Sequence, residues 1–237
     1  MAYIITVPLW RDFISRQIPG ANIKFASEHW LFRYFSPKVW VSGKTIWFKD
    51  PKLFAEMYQN GTLNAILGHE YAHLLQNQRN RWSWFKYWYP QSAFFVWILL
   101  SLLAWNPIYL AIGLVLHALP ISAFWRVDDE IEAYEMQILV QMCELYNRVG
   151  DRKIVLEMVE TLPKLYSDLL WDPAYWMMWL PTWKRRTARL KFESTMYMTY
   201  YWLSRLAFDP KISYIIEDGE TARYELFLYL TTGVVKA

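Results

Sequence analysis

Between Lys86 and Arg126 the chain runs for 39 residues, Tyr87 to Trp125, without one Asp, Glu, Lys or Arg. A stretch so apolar has to leave water, into protein or into lipid, and this constrains everything on either side of it. Asn106-Pro107 cuts the run near its middle, and Pro90 and Pro120 trim its helical parts to Gln91–Trp105 and Ile108–Leu119. At 1.5 Å per residue these arms reach about 23 and 18 Å, short of a hydrocarbon core of about 30 Å. The segment reads as a hydrophobic helical hairpin, either in contact with a membrane or buried against protein, an assembly partner included. Arg79, Arg81 and Lys86 precede it, Arg126 follows it, and its turn is uncharged, as a cytoplasmic entry into lipid requires. Tyr87, Trp88, Tyr89 and Trp125 would then form an interfacial aromatic belt.

Composition removes several other classes. Apolar residues make up 55% of the 237 residues and aromatics 19%, with 15 Trp, so the chain has the material to fold and is not a disordered or low-complexity protein. A net charge of +3 with scattered Lys and Arg gives no argument for nucleic acid. Cys143 stands alone, which excludes an intrachain disulfide and a cysteine metal cluster. Met1–Trp10 is apolar but lacks the basic start and cleavage site of a secretory signal. The expected location is the cytoplasm, at a membrane surface or packaged in a virus particle.

Short-range signals place the elements. Asn22–Ala26 alternates as a strand, and Val39–Val41 and Thr45–Phe48 flank Ser42-Gly43-Lys44 as a hairpin. Asp50-Pro51 reads as an N-cap followed by Pro at the first helical position, with the helix running to about Gln59 and ending at Asn60-Gly61. Thr62 caps the next helix, along which Leu63, Ile66, Leu67, Ala72 and Leu74 recur at helical spacing. From about Arg126 the chain is mostly helical, with breaks at Gly150-Asp151, Asp172-Pro173, Pro181 and Asp209-Pro210. Met196–Leu206 and Thr221–Leu230 read as amphipathic helices, and Lys184-Arg185-Arg186, with Arg189 and Lys191 the densest basic cluster, reads as a solvated helix start or as a contact for phosphate or lipid headgroups. Trp171–Trp183, rich in aromatics and Met, reads as packing over neighbouring helices or as a recognition groove.

The helix after Thr62 carries His69-Glu70-Tyr71-Ala72-His73, an H-E-x-x-H motif. Residues four apart share a helical face, so both imidazoles reach one ion, and Glu70 projects beside it. In that arrangement zinc lowers the pKa of a water molecule and polarises a carbonyl, while the Glu carries protons. A catalytic zinc takes a third protein ligand. His29 and His117 read as structural or surface residues. The acidic segment Asp128–Glu135 offers Glu130, which shares a helical face with Ala133 and Tyr134, and, as the alternative, Glu132, which points elsewhere. Both carboxylates also suit a solvated, acidic helix start. Tyr71 or Tyr134 could stabilise an oxyanion.

H-E-x-x-H paired with a distant E-x-x-A on a second helix resembles the gluzincin metallopeptidases. The chain is also similar to bacterial and phage proteins that combine H-E-x-x-H-x-x-Q, an apolar stretch, E-x-E-A-Y and Y-x-M-W. These read here as His69–Gln76, the 87–125 run, Glu130–Tyr134 and Tyr175–Trp179, over about residues 39–183. The resemblance implies His69, His73 and Glu130 as zinc ligands and Glu70 as base. It also implies an edge strand in Val39–Phe48 for an extended substrate. Where gluzincins usually have an Asp that orients a His, this chain has Tyr134.

The expected fold is therefore α+β and predominantly α-helical. It has a zincin-like core over 20–150, a small N-terminal β-hairpin and the hydrophobic hairpin 87–125 between the ligand helices. Residues 151–237 form a C-terminal helical region packed on that core within one domain. The expected activity is zinc-dependent hydrolysis of a protein or peptide substrate. The alternatives are a structural or assembly protein with a non-catalytic metal site, such as a phage particle component, and a membrane-associated regulator. If His73 and Glu130 bind one ion, the hairpin must return to its starting side.

Overall fold

The computed structural model describes residues 7–29, 38–79, 96–118, 121–149, 152–170, 181–206 and 221–232. Helix α1 (Val7–Gln17) buries Trp10, Phe13 and Ile14, and Ile18 just past its end continues the same stripe. Strand β1 (Asn22–Phe25) ends one residue before the expected boundary, because Ala26–Glu28 forms a 3₁₀ turn. Strands β2 (Val39–Ser42) and β3 (Thr45–Phe48) form the expected hairpin. Gly43 takes φ 59° at the first of its two turn positions, where a type II′ turn requires glycine. The sheet order is β1-β3-β2, with β1 parallel to β3 in the register Asn22↔Thr45 to Phe25↔Phe48. Thr45–Phe48 is thus the central strand, and β2 lies at an edge among the described strands.

Asp50 caps α2 (Pro51–Gln59) by accepting from the Leu53 N–H at 2.8 Å, and Gly61 at φ 75° lets the chain turn into α3 (Leu63–Arg79). The Thr62 carbonyl accepts from Ile66 N at 3.1 Å, and its hydroxyl donates to Asn60 Oδ1 at 2.7 Å. In the apolar run, helical residues 96–103 and α4 (Ile108–Ala118) pack side by side. Trp97 stacks on Tyr109, and Gly113 leaves no room for a Cβ beside Trp97. No described helix is long and apolar enough to cross a membrane.

Helix α5 (Ile121–Val149) begins inside the charge-free run. The acidic segment Asp128–Glu135 consequently lies two turns into a 29-residue helix, which overturns its reading as a helix start. Pro120 precedes the first residue of α5, and Pro breaks a helix only when it falls in the interior. Helices α6 (Arg152–Leu170), α7 (Thr182–Leu206) and α8 (Thr221–Thr232) follow. Met196–Leu206 is the C-terminal part of α7 rather than a separate helix, and Lys184-Arg185-Arg186 does fall at its start.

Helix α5 is the central element: α3, α6, α7 and α8 all pack on it, and one apolar core runs from α1 to α8. Helices α3 and α5 are antiparallel and close. A Cβ on Gly68 would meet Val140 Cγ2 at 2.6 Å, so glycine is required there. Buried polar groups fix the other neighbours. Glu135 accepts from Thr195 Oγ1 at 2.8 Å and from Arg223 at 3.2 Å, and Tyr166 donates to Gln141 at 2.7 Å. The molecule is a predominantly helical α+β fold with a small mixed sheet near its N-terminus. Several sequence expectations lie outside the described residues. These are Tyr87–Tyr89, the breaks at Gly150-Asp151, Asp172-Pro173 and Asp209-Pro210, residues 171–180 with Tyr175–Trp179, and the side chains of His117 and Trp125.

Candidate metal centre

The antiparallel packing of α3 on α5 sets the H-E-x-x-H face opposite Glu130. His69 Nε2 lies 3.5 Å and His73 Nε2 3.8 Å from Glu130 Oε2. The three ligand atoms lie within 4.8 Å of one another. A tetrahedral site with ligand bonds near 2.05 Å has edges of about 3.4 Å, so this spacing fits one ion with little adjustment. Arg126 reaches Glu130 Oε1 at 3.5 Å, whereas the buried Oε2, between the two imidazoles, has no hydrogen-bond partner. A buried acceptor left in this way is costly unless something else satisfies it, and a cation does. These three residues could hold a metal ion.

Electrostatics supports the donor set. Burial opposes the Glu130 charge, yet His69, His73 and Arg126 together bring its pKa down to about 2. Glu70, also buried, moves the other way: burial raises it to about 7, against the pull of His73 and with a smaller push from Glu130. The two carboxylates of one site are thus driven apart by their surroundings.

A second layer orients His73. Gln76 Nε2 donates to the Asp129 carbonyl at 2.8 Å and to Glu132 Oε2 at 3.1 Å. Its Oε1 therefore faces His73 Nδ1 at 2.8 Å and accepts that N–H, which leaves the Nε2 lone pair toward Glu130. The runner-up ligand Glu132 is turned to Gln76 and to Arg79 at 2.6 Å, away from the imidazoles. Tyr134 packs its ring edge-on against His69, with centroids 4.8 Å apart, and so restricts that imidazole by contact.

Other residues fall elsewhere. Tyr71 is fully buried against Phe13, and burial raises its phenol pKa, so it belongs to the core and not to the site. His29 packs on Trp47 and is no member of the ligand group, in keeping with a structural role. Three contributors carried no site role in the sequence reading: Gln76, quoted only as the last residue of H-E-x-x-H-x-x-Q, Arg126 one turn before Glu130, named only as a flanking charge, and Gly68 beside the first His. Compared with protein-family models, with curated proteins and with solved structures, the chain has no match.

Proposed function

We propose that the chain is a zinc-dependent endopeptidase of gluzincin type, in which His69, His73 and Glu130 hold the ion and Glu70 is the general base. The observation that carries this reading is the convergence of two imidazole Nε2 atoms on Glu130 Oε2, with Glu70 buried and within reach of the charges of His73 and Glu130. A site that only braced the fold would have no use for a second buried carboxylate next to its ligands. When bound, zinc supplies Lewis acidity to a peptide carbonyl and acidifies water.

The chain's own residues supply the rest. Glu70 accepts the proton of the attacking water and delivers it to the leaving amide nitrogen. Arg126 holds one oxygen of Glu130, and Gln76 holds His73 in the tautomer that binds metal. Strand β2, an edge among the described strands, would take an extended peptide by strand addition. Asn77, one turn beyond His73, ties the turn after β2 to α3 by donating to Gly43 O at 3.3 Å.

Protein purified without chelator should carry about one zinc per chain and cleave an unstructured substrate such as casein. Glu70→Gln should keep the metal and lose cleavage. A metal-free wild type, or a fully active Glu70→Gln, contradicts the proposal.

A further inference from the structure

The exposed hairpin between α3 and α5 has no role in the centre just described, and its details point to one kind of surroundings. Leu102 and Leu103 are 67% and 71% exposed and Trp105 94%, with Leu99, Ile108 and Val115 exposed beside them. The polar groups of the tip, by contrast, bond largely to one another. Asn106 N donates to Ser101 O, Ile108 N donates to Asn106 Oδ1 at 3.0 Å, and both Tyr109 N and Ser101 Oγ donate to Asn106 O. Such closure also occurs at helix ends that face water. A hydrocarbon environment demands it, because no partner is available there.

Trp105 adds an independent sign. It takes φ 49° at the left-handed cap where the bond from Asn106 N to Ser101 O closes the preceding helix, a position usually filled by glycine. Backbone strain spent on projecting a Trp into the surroundings implies that the ring has something to enter.

Charge around the hairpin selects the surface. Residues 71–127 contain Arg79, Arg81, Lys86 and Arg126 and no acid. Lys184, 2.9 Å from both oxygens of Asp128, pins the N-terminal end of α7 to the end of α5 that receives the hairpin. At that end a cleft of about 350 Å³ is lined by Lys164, Arg185, Arg186 and Arg189; Asp168 pairs with Arg185 and Glu193 with Arg189, which leaves the lining net positive. The described arms, 96–103 and Ile108–Ala118, span about 12 and 17 Å, the depth of one leaflet of a core about 30 Å thick.

We propose that the 96–118 hairpin inserts into a single leaflet of an anionic bilayer, with the basic end of the helical bundle on the headgroups. His73 lies six residues, about 9 Å, before the C-terminal end of α3, and Glu130 nine residues, about 14 Å, after the start of α5, the helix that follows the hairpin in the chain. On the peptidase reading, on which this step alone rests, the substrate is a peptide segment lying at the membrane surface.

Vesicle flotation in the presence of chelator tests the lipid assignment without reference to zinc or activity. Wild type should float with phosphatidylcholine vesicles containing about one-third phosphatidylglycerol, and far less with phosphatidylcholine alone or at high salt. Trp105→Gly relieves the backbone strain and should leave thermal stability intact while weakening vesicle binding by about tenfold or more. Leu102→Glu with Leu103→Glu should abolish binding. With Cys143 buried, a dye on Leu103→Cys should be quenched by bromine placed on the acyl chains. Wild type left unbound, equal binding to both vesicle types, or unchanged binding of the charged variant overturns the proposal. A stable oligomer in vesicle-free buffer that the charged variant dissociates, with no flotation, would make the occupant a second copy of the chain instead.

Discussion

Two residues beside the ligands decide how the candidate centre works. Gln76 sets the tautomer of His73 through a bond whose direction follows from its own two donor contacts. Gln76→Leu should therefore weaken zinc binding by about 10–100-fold in competition with a chromophoric chelator. Glu132→Gln, which touches the ligands only through Gln76, should change it much less. Glu70 gives a pH signature in the metal-free protein. Its folded pKa, about 7, lies above the ordinary 4.5, so its contribution to stability is fully present below 4.5 and is lost as pH rises through 7. The loss amounts to about 3 kcal/mol. Glu130 has the opposite sign: its pKa of about 2 contributes stability above 4.5 that is lost as pH falls toward 2. In urea unfolding with chelator, Glu70→Gln should gain on wild type steadily from pH 4.5 to 8. Parallel stability curves for the two proteins would refute this account of Glu70.

At the scale of elements, the approach of α3 to α5 makes the centre possible, and Gly68 permits it. A Cβ there meets Val140 Cγ2 at 2.6 Å, so Gly68→Ala should cost about 1–3 kcal/mol in chemical denaturation. Val140→Ala should recover part of that loss in the double variant, a coupling that independent sites would not show. Much of this geometry was legible in the sequence: the i, i+4 spacing of His69 and His73, the shared face of Glu130, Ala133 and Tyr134, the Asp50-Pro51 helix start and the Gly43 turn. What escaped is instructive. The α1 stripe of Trp10, Phe13, Ile14 and Ile18 has helical spacing, but it overlaps a segment weighed only as a targeting signal. The parallel pairing of β1 with β3 depends on tertiary contact that no local pattern encodes. The start of α5 at Ile121 was hidden because Pro120 reads equally as a stop and as a start.

Across the whole molecule, a polar relay locks the N-terminal helix to the bundle. Trp10 Nε1 donates to Asn64 Oδ1 at 2.9 Å, and Asn64 Nδ2 donates to Glu144 on α5. Asn64→Leu leaves the indole donor without its acceptor and takes a donor from the half-buried Glu144, and should destabilise by about 1–3 kcal/mol, measurable as a lower denaturation midpoint. The same bundle brings the C-terminal ends of α3 and α6 and the N-terminal ends of α5 and α7 together, with the candidate centre a short way behind them. All of this gives Glu130 a specific role that its neighbour Glu132 does not share. The most direct test is a zinc titration of chelator-stripped wild type, Glu130→Gln and Glu132→Gln. The wild type should bind about one zinc per chain, Glu132→Gln should bind nearly as well, and Glu130→Gln should bind at least about 100-fold more weakly. Equal zinc affinity in wild type and Glu130→Gln, or a loss confined to Glu132→Gln, would contradict the assignment of the centre.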